Sequence, residues 1–153
     1  MDRTGIKRTT PIIISKIING LYISDMNITT ETIRTYRIGG ILNCTPDVPS
    51  RTDVETIRIP VEDSLHMAEQ TRMCSYFPVM TAFIHKVREL DKKNVLVHCI
   101  QGKQRSATAI VAYLMKYYSL SLDKAVQIVV RKHPIAFNGG RSIHFEHALK
   151  CWS

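Results

Sequence analysis

The chain has 153 residues, of which 44% are hydrophobic and 22% are charged, and its formal net charge is +8. This size and composition suit one globular domain with a core of its own and argue against a second domain. The positive charge favours acidic partners such as phosphoproteins, nucleic acid or anionic lipid, but the basic residues are dispersed, so the charge alone does not choose among them.

The first predicted elements are short and follow a polar N-terminus. Residues 1–11 are basic, polar and aperiodic, which predicts a flexible arm ahead of a single domain over 12–153. Two apolar segments flank Asn19-Gly20, a pair that tolerates positive φ, so we expect a tight hairpin there. A short helix with a threonine cap is expected next, over about 30–36.

Strands and helices alternate in the middle of the chain. Residues 40–44 and 56–59 are short apolar or alternating runs bounded by Pro, Gly and Asp, which is typical of strands. Large apolar residues at three- and four-residue spacing over 71–90 predict an amphipathic helix, and Pro78 limits how early it becomes regular. Residues 94–98 are apolar enough for a strand that is buried on both faces.

Only helices are expected after that strand. A loop that contains a glycine leads into a helix over 105–118, Ser121 is a candidate cap for a helix to 132, and Ser142 for a last one to 152. Strands therefore alternate with helices first, and helices alone follow. This order predicts an α/β domain with a central, mostly parallel sheet of about four to five strands, flanked by helices.

The loop after the buried strand, HCIQGKQRS at 98–106, carries the predicted chemistry. Its successive backbone N–H groups are expected to curl into a concave anion site, closed by the positive end of the helix dipole. Gly102 is free to adopt positive φ, and Arg105 offers a planar fork of donors to two oxygens of a phosphate. The predicted phosphate-binding residues are Ile100, Gln101, Gly102, Lys103, Gln104 and Arg105.

Cys99 is the predicted nucleophile of this loop. The positive field of the loop and helix is expected to keep its thiol ionised at neutral pH. The hydroxyl of Ser106 is expected to hydrogen-bond the sulfur when it leaves phosphorus, and His98 is expected to orient the loop. The alternative, a buried cysteine with an unrelated arginine six residues later, requires a rare coincidence of residue types and spacings.

The whole segment resembles a known family. HCIQGKQRS is similar to the HCxxGxxRS signature of the dual-specificity branch of the protein tyrosine phosphatase superfamily. Residues 41–46 are similar to the ILNVTP strand end of that branch, 59–63 to the start of its acid loop, and 112–115 to its helix after the signature. The resemblance covers about 15–150. It implies a protein tyrosine phosphatase-like fold, a phosphocysteine intermediate, a supporting role for Asn43, and neither a metal nor another cofactor.

Two departures from the family pattern keep the substrate class open. The family often has Asn, then Phe three residues later and Gln-Leu after that, whereas here Asn138 is followed by Arg141 and by His144-Phe145. Lys103 stands inside the loop where many protein phosphatases of the superfamily have an apolar or small residue and lipid phosphatases often have lysine. The C-terminal substrate contacts of the family therefore do not carry over directly.

The reaction also needs a proton donor for the leaving group and later a base for the attacking water. The match to the IPxxD pattern of the family assigns these roles to Asp63 rather than to Glu62. His66, three residues on, is a weaker alternative acid. His144 and His147 have metal-ligand spacing on the predicted last helix, but no carboxylate or cysteine accompanies them, so no metal site is expected.

Several functions fit this loop. The leading hypothesis is a dual-specificity protein phosphatase, since a chain this short has little material for a deep tyrosine-specific pocket. The alternatives are an RNA 5′-phosphatase or a phosphoinositide phosphatase with the same mechanism, and a pseudophosphatase that binds phosphoproteins without turnover. Phosphorylated proteins are the expected partners.

The remaining features concern location and redox chemistry. No apolar run approaches the roughly 18 residues of a membrane span, and the N-terminus lacks a secretory pattern, so we expect a soluble protein of the cytoplasm or nucleus. The four cysteines have no CxxC pairs, which argues against a disulfide scaffold or a zinc ribbon. Cys44 is either a core thiol or a partner that traps oxidised Cys99 as a disulfide.

Overall fold

The structure is a computed structural model that describes residues 10–153. Most of the arm predicted over 1–11 lies outside the described residues. The strands are β1 (Ile14–Ile18), β2 (Leu21–Ser24), β3 (Ile38–Asn43), β4 (Glu55–Arg58) and β5 (Asn94–His98). The helices are α1 (Thr30–Thr35), α2 (Met67–His85), α3 (Arg105–Tyr117), α4 (Leu122–Lys132) and α5 (Glu146–Trp152). A π-helical turn, Lys86–Leu90, continues α2, and a turn with left-handed backbone occupies Phe137–Gly140.

The five strands form one sheet in the order β1-β2-β5-β3-β4. Only the β1–β2 hairpin pair is antiparallel, and the other three pairs are parallel. The α/β fold with a mostly parallel sheet, predicted from the order of elements, is confirmed. In the register of the sheet, His98 at the end of β5 lies opposite Ser24 of β2 and Asn43 of β3. The carboxyl ends of the three central strands thus meet at one edge, where α/β sheets bind ligands.

Apolar side chains cover both faces of the central strand. Val95 and Val97 of β5 belong to the main core, which also contains the buried faces of α2, α3, α4 and α5. Leu96 points to the opposite face and packs with Ile38 and Ile41 of β3 in a smaller cluster toward α1. A strand with a core on each side must be apolar at every position. This explains the continuous apolar run at 95–97 within β5.

Local signals determine several of the element ends. Gly20 has φ of 80° and closes the hairpin between β1 and β2. Thr29 caps α1 in a reciprocal capping box with Thr32. The side chain of Ser121 accepts a hydrogen bond from the backbone of Lys124 at 3.2 Å and so caps α4. The hairpin and both caps agree with the sequence predictions.

Two helix predictions are wrong in their bounds. Helix α2 begins at Met67, before the predicted start at 71, and continues regularly through Pro78. An internal proline costs roughly 3 kcal/mol, but the fully buried Phe77 and Met80 beside it each stabilise the helix by about 1.5–3 kcal/mol. The helix ends at His85, and the predicted last turns to 90 are π-helical.

The last helix was predicted to begin at Ser142, but α5 begins at Glu146. The carbonyl oxygen of Ser142 accepts a hydrogen bond from the side chain of Gln104 at 2.8 Å, and the backbone N–H of His144 donates to the same side chain at 3.0 Å. These backbone groups are therefore engaged by the loop 98–106 rather than by a helix. The same two hydrogen bonds hold the segment 142–145 beside that loop.

Candidate active site

The loop 98–106 connects the carboxyl end of β5 to the first turn of α3. Cys99 is the first residue after the strand and is 3% exposed, within the main core. The hydroxyl oxygen of Ser106 lies 3.2 Å from its sulfur. The predicted nucleophile and its predicted hydrogen-bond partner are therefore in contact.

The bend of the loop requires glycine at position 102. Gly102 has φ of 74°, and a Cβ there would lie 3.1 Å from the backbone carbonyl of Ser24, which cannot move easily. The ring of His133 supports the bend, because its Nε2 contacts the carbonyl oxygen of Gly102 at 2.9 Å and its Nδ1 contacts the hydroxyl of Ser15 at 2.7 Å. Burial lowers the pKa of His133, so the ring is neutral and Nε2–H can donate to the loop.

His98 and Asn43 lie behind the loop, and neither lines the pocket that contains Cys99. Nδ1 of His98 contacts the carbonyl oxygen of Cys99 at 3.1 Å, and burial lowers the pKa of His98. The side-chain oxygen of Asn43 accepts hydrogen bonds from the backbone and the hydroxyl of Thr45, at 3.2 and 2.7 Å, and its amide donates to the carbonyl oxygen of Val48 at 2.9 Å. Asn43 therefore holds the turn that follows β3.

Arg105 is 6% exposed, and it joins the loop to the segment that carries Asp63. Its Nη1 donates a hydrogen bond to the carbonyl oxygen of Val61 at 2.8 Å. The side chain of Gln104 does not point to a bound anion, because it hydrogen-bonds the backbone of Ser142 and His144. Only the backbone N–H of Gln104 is left for an anion.

A pocket of about 290 Å³ brings most of the predicted residues together. Of the described residues that line it, Asp63 is the single acidic one, against the cations Lys103 and Arg105. Within the described part of the chain, Glu62 and His66 do not line this pocket; the backbone N–H of Glu62 donates to the carboxylate of Glu69 at 2.9 Å. The lining residues are Asp63, Cys99, Ile100, Gln101, Lys103, Gln104, Arg105, Asn138 and His144.

Two pocket residues were not recognised as site residues from the sequence. Asn138 lies on the left-handed turn, and Nδ1 of His144 lies 2.7 Å from Oδ1 of Asp63. From the sequence, Asn138 stood out only as a departure from the family pattern, and His144 as such a departure and through its spacing from His147. His147, which shares metal-ligand spacing with His144, contacts Cys151 at 3.7 Å instead. Residues 10–153 contain no cluster of three or more His, Cys, Asp or Glu suited to a metal ion.

The model of the "Dual specificity phosphatase, catalytic domain" family matches residues 21–152, which is most of the chain. This chain belongs to the dual specificity phosphatase family. Dual specificity protein phosphatase 18 of Bos taurus is 32% identical over 144 residues, which cover 89% of this chain and 74% of that protein. Dual specificity protein phosphatase Mpk3 of Drosophila melanogaster is 35% identical over 109 residues, which cover 69% of this chain. The match spans only 25% of Mpk3.

Solved structures of the same family share the fold. A mouse putative dual specificity phosphatase, crystallised with zinc tungstate, has a TM-score of 0.75 and 25% identity and covers 97% of this chain and 91% of its own. DUSP15 has a TM-score of 0.74 and 26% identity, with 92% and 90% covered. The resemblance stated from the sequence and the phosphatase-like fold are confirmed. These relatives do not favour the RNA or phosphoinositide alternatives.

No helix within residues 10–153 has the length and apolarity needed to cross a membrane.

Cys44 is the candidate redox partner of Cys99 from the sequence analysis. It is fully buried, and its backbone N–H donates to the carbonyl oxygen of His98 at 2.8 Å. Burial, reinforced by the neighbouring Cys99, raises the pKa of the Cys44 thiol. A protonated thiol is a poor nucleophile. We therefore expect peptide mapping after mild peroxide at neutral pH to find no 44–99 crosslink; a substantial yield of that disulfide would contradict this prediction.

Proposed function

We propose that this chain removes phosphate from phosphotyrosine and from phosphoserine or phosphothreonine in proteins of the cytoplasm or nucleus, through a phosphocysteine intermediate. The observation that carries the proposal is the convergence of Cys99, Arg105 and Asp63 on one pocket. Relatives named as dual specificity protein phosphatases support proteins as the substrates.

In the first step the thiolate of Cys99 attacks phosphorus, an S–P bond forms, and the P–O bond to the leaving group breaks. The backbone N–H groups of Ile100 to Arg105, in the loop 98–106, donate hydrogen bonds to the phosphoryl oxygens. The guanidinium of Arg105 donates to two of these oxygens. These hydrogen bonds are strongest in the transition state, where negative charge spreads over the phosphoryl oxygens. The cations Lys103 and Arg105 in the pocket favour an anionic substrate.

Asp63 serves both steps with one carboxyl group. As an acid it gives its proton to the leaving oxygen, and as a carboxylate it then accepts a proton from the water that attacks the phosphocysteine. The S–P bond breaks in that second step, and inorganic phosphate leaves. Ser106, 3.2 Å from the sulfur, donates a hydrogen bond to the departing thiolate.

The decisive test compares Asp63→Ala with Glu62→Ala on two leaving groups. An alkyl leaving group departs as a basic alkoxide and needs a proton, whereas an activated aryl group departs readily alone. General acid catalysis is typically worth about 10² to 10⁴ in rate, so Asp63→Ala should lose about that factor on a phosphoserine peptide and much less on an activated aryl phosphate. Asp63→Asn should also flatten the alkaline limb of the pH profile of kcat/KM.

Glu62→Ala is the matched control, because it removes the neighbouring exposed carboxylate outside the pocket. It should leave both rates nearly unchanged. If Glu62→Ala flattened the alkaline limb instead, the acid would be assigned one residue too late. Faster phosphate release from 5′-phosphorylated RNA or inositol lipids than from phosphopeptides would contradict protein as the substrate.

A further inference from the structure

The backbone of His144 is held on both sides by buried glutamine side chains. Its N–H donates to Oε1 of Gln104 at 3.0 Å, and its carbonyl oxygen accepts from Nε2 of Gln70 at 2.8 Å. Gln70 and Gln104 are only 3% and 4% exposed. Buried amides that bind a backbone on two sides fix its position closely, because breaking either hydrogen bond leaves an unsatisfied buried group.

Each glutamine also uses its other amide atom, so the arrangement is fully connected. Nε2 of Gln104 donates to the carbonyl oxygen of Ser142 at 2.8 Å, and Oε1 of Gln70 accepts from the backbone of Ala148 at 3.1 Å. Gln104 belongs to the loop 98–106, and Gln70 belongs to the first turns of α2, just after the acid loop. His144 is therefore tied to both catalytic segments at once.

The ring of His144 completes this connection. Its Nδ1 lies 2.7 Å from Oδ1 of Asp63, and both side chains line the pocket that contains Cys99. We propose that His144 is a positioning residue for Asp63, which holds one carboxyl oxygen so that the other carries the transferred proton. This inference rests on the proposed function, in which Asp63 is the general acid.

The bond suits a group that gains negative charge during the reaction. With a neutral ring protonated on Nδ1, His144 donates to Oδ1 while the acidic proton sits on Oδ2 of Asp63. When Oδ2–H transfers its proton to the leaving oxygen, the P–O bond breaks, the S–P bond to Cys99 forms, and Asp63 becomes a carboxylate. The N–H···O bond is then charge-assisted and stronger. An interaction that strengthens in the transition state raises kcat rather than lowering KM.

The test uses two replacements that differ in one hydrogen-bond donor. His144→Phe keeps a planar ring but has no donor, whereas His144→Asn has an amide nitrogen one bond beyond Cγ, as Nδ1 is in histidine. Both retain the backbone that Gln70 and Gln104 bind. On a phosphoserine peptide we expect His144→Phe to lower kcat by about tenfold with little change in KM. On an activated aryl phosphate it should change little, and His144→Asn should restore most of the lost rate.

The control variants separate positioning from a general loss of structure. His147→Phe changes an exposed histidine outside this pocket and should leave both rates unchanged. In an Asp63→Ala background, His144→Phe should have no further effect, because the group that it positions is gone. Full activity on the aryl phosphate reports that each variant is folded.

Two results would overturn the inference, and they differ from a failure of the proposed function. An equal loss on both substrates without rescue by asparagine would mean that His144 only maintains the fold. An unchanged kcat in His144→Phe, with the expected loss in Asp63→Ala, would mean that Asp63 needs no such partner. If Asp63→Ala itself showed no dependence on the leaving group, the acid assignment would fail, and the positioning role would fail with it.

Discussion

Replacing Cys99 with serine is expected to lower turnover by more than about 10⁴-fold, while the binding of phosphate esters persists. A serine hydroxyl stays protonated at neutral pH and is a poor nucleophile without an adjacent base, whereas a cysteine thiolate is intrinsically a strong nucleophile. The substitution changes one atom, and the backbone N–H groups of the loop and the Arg105 side chain stay where they are. Steady-state rates on an aryl phosphate measure the first effect, and calorimetric binding of a phosphopeptide measures the second.

Cys151→Ser is the matched control for this prediction. It makes the same replacement at an exposed thiol on α5, outside the pocket that contains Cys99, and should retain full activity. Residual activity of Cys99→Ser near the wild-type rate would mean that another group attacks phosphorus. Loss of both turnover and phosphopeptide binding would mean that the sulfur itself maintains the loop.

The parts of the fold that depend on nearby residues could be predicted from the sequence. The Asn19-Gly20 turn, the buried run at 94–98 and the cap at Ser121 each involve residues within a few positions of one another. The loop 98–106 is also local, because one strand end, one glycine and one helix start form it. Such segments carry their own conformational preferences, so the sequence pattern is enough.

The features that the sequence did not reveal depend on distant partners. Gln104 binds Ser142 across 38 positions, and the last helix begins only at Glu146. His133 supports Gly102 across 31 positions, and His144 meets Asp63 across 81. Nothing near these histidines in the chain indicates what they bind. The segment 133–145 lies between α4 and α5, so the packing of these helices on the core brings it to the sheet edge where the carboxyl ends of β2, β3 and β5 meet.

Arg105→Lys is expected to lower kcat by about 10³- to 10⁵-fold. This is the contribution of an arginine that stabilises the transition state of phosphoryl transfer. One nitrogen of the guanidinium already donates to the carbonyl oxygen of Val61 at 2.8 Å. The remaining donors of the fork are left for two phosphoryl oxygens. A lysine ammonium offers its donors from a single atom and cannot reach the carbonyl oxygen and both phosphoryl oxygens together.

The dependence of the rate loss on the substrate distinguishes Arg105→Lys from Asp63→Ala. Arg105 stabilises charge on the phosphoryl group, which every substrate shares, so Arg105→Lys should slow an activated aryl phosphate and a phosphoserine peptide to a similar extent. Asp63→Ala should slow mainly the peptide. Arg131→Lys, an exposed position on α4, makes the same replacement outside the pocket and should leave both rates unchanged. If Arg105→Lys instead impaired only the peptide, the guanidinium would act chiefly by holding the acid loop through Val61, and the phosphate would depend on the backbone N–H groups alone.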